Sequence, residues 1–85
     1  MEEDLNRTEM TVKQINWMKY DRLETEMDAV TKIRYKDKGA MSTLTPAENG
    51  VNVVFYNDVK GVAPGQSAVF YEGEDVIGGG IIQRS

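Results

Sequence analysis

The sequence predicts an all-β fold, a small antiparallel β-barrel of about six short strands. Three observations carry this. Residues 27–38 alternate without a break: Met27, Ala29, Thr31, Ile33 and Tyr35 share one face, and Asp28, Val30, Lys32, Arg34, Lys36 and Lys38 the other. Turn signals at Asn49-Gly50, Pro64-Gly65 and Glu72-Gly73-Glu74-Asp75 separate the apolar stretches at short intervals. No segment shows a 3.6-residue period. A barrel is favoured over an open sheet because closure removes unpaired edges. Glycines at 78, 79 and 80 let the final strand coil at a barrel corner.

The elements follow in order. Residues 1–9 are polar and read as a flexible segment or linker remnant, leaving residues 10–85 as the domain. Met10 and Val12 alternate, and Ile15 and Trp17 alternate on the opposite parity, which predicts a bulge near Lys13-Gln14. Residues 18–26 are a polar connection. The alternating run 27–38 is the second strand, ended by Gly39. A short strand over Met41–Thr45 is stopped by Pro46. Asn49-Gly50 is the strongest hairpin signal, and the β-branched and aromatic run Val51–Tyr56 follows it. Asn57-Asp58 marks a turn, and Pro64-Gly65 fits the centre of a type II turn. Gln66–Tyr71 and Val76–Gln83 complete the set around a tight polar turn.

Composition narrows the chemistry. The 85 residues suffice for one small domain with a modest core. There is no Cys, hence no disulfide, thiolate nucleophile or Cys-bound metal, and no His, the commonest general base and metal ligand. No apolar run reaches the roughly 18 residues of a membrane span, and the acidic start Met1-Glu2-Glu3-Asp4 is not a signal peptide. A cytoplasmic protein with no membrane partner is the expectation. The net charge of −4 argues against nucleic acid, but it is unevenly spread. Residues 1–31 hold eight acids against four bases, whereas residues 32–85 hold six of each, four of those bases within Lys32–Lys38.

That stripe is the informative constellation. Period-2 spacing sets Lys32, Arg34, Lys36 and Lys38 about 6.5–7 Å apart on one strand face, a scale on which phosphates also repeat. It admits two readings, a track for a nucleic-acid backbone and a charged face that discourages edge pairing. Gln66, at the lip of the Pro-Gly turn, offers both a donor and an acceptor. It reads as an ordinary turn residue or a ligand contact. Glu72, Glu74 and Asp75 read as a solvated turn rather than an acid/base or cation site. Gly78-Gly79-Gly80 has apolar neighbours and no following helix, which fits a strand bend and not a phosphate loop. Trp17, Tyr56 and Tyr71 read as core or rim aromatics.

The segment Pro64-Gly65-Gln66-Ser67-Ala68-Val69-Phe70-Tyr71-Glu72-Gly73-Glu74, followed by Gly78-Gly79-Gly80-Ile81-Ile82, resembles the end of the bacterial tRNA-specific 2-thiouridylases. Lys32-Ile33-Arg34-Tyr35 resembles that family's basic-aromatic strand, and Ile15-Asn16-Trp17 its first strand; the likeness runs from about Thr8 to Gln83. It implies a C-terminal barrel like those of translation factors, which helps hold tRNA. It also implies a parent enzyme that activates a wobble uridine with ATP and replaces its 2-oxygen with persulfide sulfur. The Gly-rich loop and the catalytic cysteines of such enzymes lie in upstream domains. This chain is therefore expected to have no catalytic residue, metal or cofactor of its own. It would meet sulfur-carrier proteins only through the parent. The resemblance carries tRNA contacts onto Arg34, Tyr35 and Gln66, with Lys32, Lys36 and Lys38 in support. The family often has a Cys near Val76-Ile77, and this chain has none. The rival reading is a purely structural barrel that braces the catalytic domains. A third, a small-ligand or nucleotide-binding barrel, has no support in the glycine pattern.

Overall fold

The computed structural model describes residues 8–33, 38–57, 59 and 61–83, and among them there is no helix. Six strands follow in order: β1 (Glu9–Trp17), β2 (Met27–Lys32), β3 (Ala40–Ala47), β4 (Gly50–Phe55), β5 (Ser67–Glu72) and β6 (Asp75–Gln83). They close into an antiparallel barrel in the spatial order β1-β4-β3-β2-β5-β6, with β6 paired back onto β1. The predicted architecture is therefore the observed one. Alternate side chains fill the interior. Val12, Leu44, Val53, Phe55 and Phe70 are fully buried, and Ala29, Thr31 and Ile33 supply the inner face of β2 and its end. A six-strand barrel is narrow enough for side chains alone to fill it.

The predicted bulge is present. The β1–β6 register shifts between Lys13 and Asn16, and Gln14 takes a positive φ of 56°. A second bulge, which nothing in the sequence signalled, lies in β6: Phe70 pairs with Gly78 but Tyr71 with Val76. The residue left over, Ile77, turns inward and is fully buried. The triple glycine is part of a strand, as predicted. A Cβ on Gly79 would stand 2.7 Å from the Ala68 carbonyl oxygen, and one on Gly80 2.5 Å from that of Lys13. Neighbouring backbones approach too closely there for any side chain. Gly78 lies beneath Trp17, whose ring is 6.2 Å from that of Phe70.

Three expectations need correction. β2 ends at Lys32 rather than running on to Lys38: Ile33 is already outside the strand, Thr31 pairs with Ala40 at the start of β3, and residues 34–37 of the predicted strand lie outside the described residues. Gly39, just ahead of β3, has φ of +89°. β3 does not stop at Pro46 but runs to Ala47, since Pro46 pairs with Val51 of β4 beyond the last β2 partner, Leu44. The missing N–H of Pro46 therefore breaks no ladder to β2. The hairpin at Asn49-Gly50 exists, but its two turn residues are Glu48 and Asn49, and Asn49 has φ of 63°. Gly50 belongs to β4 and is required because a Cβ would stand 2.3 Å from the carbonyl oxygen of Val12.

Candidate functional site

The turn that carries Gln66 is built as predicted. Gly65 has φ of +91°, and the Gln66 amide donates to the Ala63 carbonyl at 3.3 Å, the closure of a type II turn. Two further bonds pin it to β6: Gly65 N–H donates to the Ile82 carbonyl and Ile82 N–H to that of Gln66, both at 2.8 Å. The Gln66 side chain is exposed on this fixed support.

A groove runs from the turn along the outside of the barrel, lined by Lys32, Ile33, Gly65, Gln66, Ser67, Val69 and Tyr71. Its geometry follows from strand alternation. Thr31 and Ile33 point inward, so Lys32 points out; Ala68 and Phe70 point inward, so Val69 and Tyr71 point out. Lys32 is the register partner of Val69, which makes Tyr71 its diagonal neighbour across the β2–β5 pair. The Lys32 ammonium stands 4.6 Å from the centre of the Tyr71 ring, within cation–π range.

The structure thus brings Gln66 and Lys32 to one groove. Arg34, Tyr35 and Lys36 lie outside the described residues; they follow directly on Ile33, which lines it. Lys38 is exposed but lies beyond β2, so it is not part of a stripe on that strand. Tyr71, expected as a core or rim aromatic, is a groove residue. Its alternation with the apolar Ala68 and Phe70 was the signal that it faces outward.

The carboxylates of the β5–β6 turn are solvent-exposed, as expected, and two of them are also engaged by the connection after β1. Glu72 Oε1 accepts a hydrogen bond from the Tyr20 hydroxyl at 2.6 Å and one from Lys19 Nζ at 3.1 Å; the same Nζ reaches Asp75 Oδ2 at 3.3 Å. The turn is therefore latched to the connection after β1. The Tyr20 hydroxyl, then the Lys19 ammonium, hold Glu72 below the ordinary carboxylate pKa, while the bond to Glu72 raises that of Tyr20. Lys19 is raised in turn, first by Glu72 and then by Asp75. Arg22 meets Glu24 at 3.5 Å. Among the described residues, Lys32 has no carboxylate partner. No cluster of three potential metal ligands occurs among them, and no helix is long and apolar enough to cross a membrane.

Residues 7–82 match the family model of the aminomethyltransferase β-barrel domain. The chain belongs to this family. Among similar proteins, the tRNA-specific 2-thiouridylase MnmA of Cytophaga hutchinsonii is 48% identical over 85 residues, which is 99% of this chain and 23% of that protein. MnmA 2 of Clostridium botulinum strain Hall is 43% identical over 84 residues, 98% of this chain and 24% of that protein. MnmA of Clostridium beijerinckii is 42% identical over 83 residues, 96% of this chain and 23% of that protein. The chain thus spans about a quarter of the length of these relatives and corresponds to their C-terminal part. The expected likeness to a C-terminal 2-thiouridylase barrel holds over nearly the whole chain.

Proposed function

We propose that this barrel is an accessory tRNA-binding domain of a tRNA 2-thiouridylase, and that the parent enzyme performs ATP-dependent sulfur transfer to the wobble uridine. The domain's share is to position RNA. The upstream domains supply ATP binding and the persulfide chemistry, and sulfur carriers meet those domains rather than this one. The observation that carries the reading is the groove itself. It joins an amide on a pinned turn, Gln66, to a cation with no carboxylate partner among the described residues, Lys32, and Ile33 on its wall is followed in sequence by Arg34 and Tyr35. Arg34 offers a forked pair of donors to a phosphate, Tyr35 a ring for stacking, and Gln66 a hydrogen bond to sugar or phosphate. Such contacts position the RNA without reading its bases.

The net charge of −4 favours the rival, a barrel that only braces the catalytic domains. Arg34→Ala and Gln66→Ala in the parent enzyme, with tRNA affinity measured at two salt concentrations, separate the two. The binding role predicts weaker affinity for all substrate tRNAs alike. It also predicts, for Arg34→Ala, a salt slope reduced by about one phosphate contact. Unchanged affinity with the fold intact leaves the bracing role.

A further inference from the structure

The cations of this chain are not equivalent. Lys19 is held by Glu72 and Asp75, and Arg22 meets Glu24 through its Nε. Lys13, Lys32 and Lys38 have no carboxylate partner among the described residues. Of these three, Lys32 stands apart. Its ammonium rests over an aromatic ring, which fixes its position without cancelling its charge. The residue is half-buried on the barrel wall, with Gly39 beside its stem. A lysine ordinarily forfeits rotamer freedom on binding; one already half-buried and stacked has less to lose. On the other side of the groove the exposed Gln66 and Ser67 present an amide and a hydroxyl.

From this we infer that Lys32 is a preset phosphate contact for the RNA backbone, and that Tyr71 is the positioning residue that presents it. The inference rests on the tRNA-binding reading and adds two residues to it with distinct roles. Lys32 touches the phosphodiester. Tyr71 acts through Lys32, by the face of its ring and not by its hydroxyl.

The test uses tRNA binding by the parent enzyme over a salt series, with Lys32→Gln, Tyr71→Leu, Tyr71→Phe and the double variant Lys32→Gln/Tyr71→Leu, alongside Arg34→Ala. Lys32→Gln should make the slope of log affinity against log salt shallower by about 0.7 to 0.9, so that its curve meets the parental one as salt rises. Tyr71→Leu should weaken binding in the parental background and add nothing to Lys32→Gln. Tyr71→Phe, which keeps the ring, should behave as the parent and guards against misreading a folding defect in Tyr71→Leu. A loss from Tyr71→Leu that persists in the Lys32→Gln background would mean the ring meets RNA itself and would overturn the positioning role. So would a Tyr71→Phe variant as weak as Tyr71→Leu. An unchanged slope in Lys32→Gln, with Arg34→Ala still weakened, removes Lys32 from the interface and leaves the domain's function standing. Full affinity in both Lys32→Gln and Arg34→Ala removes the function as well.

Discussion

The hydroxyl of Thr31 lies 2.7 Å from that of Ser42 in the sealed interior of the barrel, and the Ser42 hydroxyl donates a hydrogen bond to the Ala29 carbonyl at 2.9 Å. With the Ser42 proton so used, Thr31 is the donor between them, and both buried hydroxyls are satisfied by one short relay. Ser42→Ala leaves the Thr31 hydroxyl without its acceptor, and should cost about 1–3 kcal/mol. The double variant Thr31→Val/Ser42→Ala removes the orphan as well as the relay, and should cost less than the sum of the single changes. Urea unfolding of the three variants checks this; strict additivity would show that the two hydroxyls are independent.

Two pairs of glycines have opposite reasons for being there. Gly79 and Gly80 have backbone carbonyls where a Cβ would go, whereas Gly65 and Gly73 have nothing within 4 Å but carry φ of +91° and +63°. Gly80→Ala should therefore force the β1–β6 pair apart and destabilise by about 1–3 kcal/mol or more. At Gly73 the cost is conformational and Asn tolerates that region, so Gly73→Asn should be milder than Gly73→Val. Thermal midpoints give the order: a Gly80→Ala variant as stable as Gly73→Asn would contradict the packing account.

The latch of Lys19, Tyr20, Glu72 and Asp75 predicts how stability varies with pH. Glu72 is lowered in the folded chain, so its contribution is present above the ordinary carboxylate pKa and is lost as pH falls through the folded value. Tyr20 and Lys19 are raised. Their contribution is present below their ordinary pKa values, near 10 to 10.5, and is lost as pH climbs through the folded ones. Glu72→Gln should thus be less stable than the parent around neutrality and converge with it at both extremes. All the groups are solvent-accessible, so the difference should be small and shrink in salt. A gap that stays constant from acid to alkali would mean that the loss is one of packing rather than charge.

The fold was largely legible because alternation and turn chemistry are local. Each residue pair that fixed a turn, Pro64-Gly65 above all, acts through its own dihedral angles. Strand ends were less so. Charged residues after Lys32 continue the alternation of β2, but the strand extends only as far as β3 and β5 offer partners, and partners are not written in the strand itself. The latch was illegible for a related reason: Lys19 and Glu72 are 53 residues apart and meet because β1 is brought beside β6. Of the groove, the turn under Gln66 and the outward direction of Lys32 could be read. The diagonal approach of Lys32 to Tyr71 could not, since it depends on the β2–β5 register.

The place of β1 in the sheet has a consequence for how the chain folds. Thr11 is paired with Asn52 on one side and Gln83 on the other, so neither neighbour of the first strand is close to it in sequence. Pairings of such wide separation fold slowly, in milliseconds to seconds, because the intervening loop must be closed before any contact rewards it. During synthesis, β1 to β5 emerge before the strand that closes them exists. A chain cut ahead of Asp75 would hold β1 and β5 as two open edges, each able to capture a strand from another copy. Ribosomes stalled within this last stretch should therefore yield aggregation-prone products, whereas release of the completed β6 removes both edges in a single step.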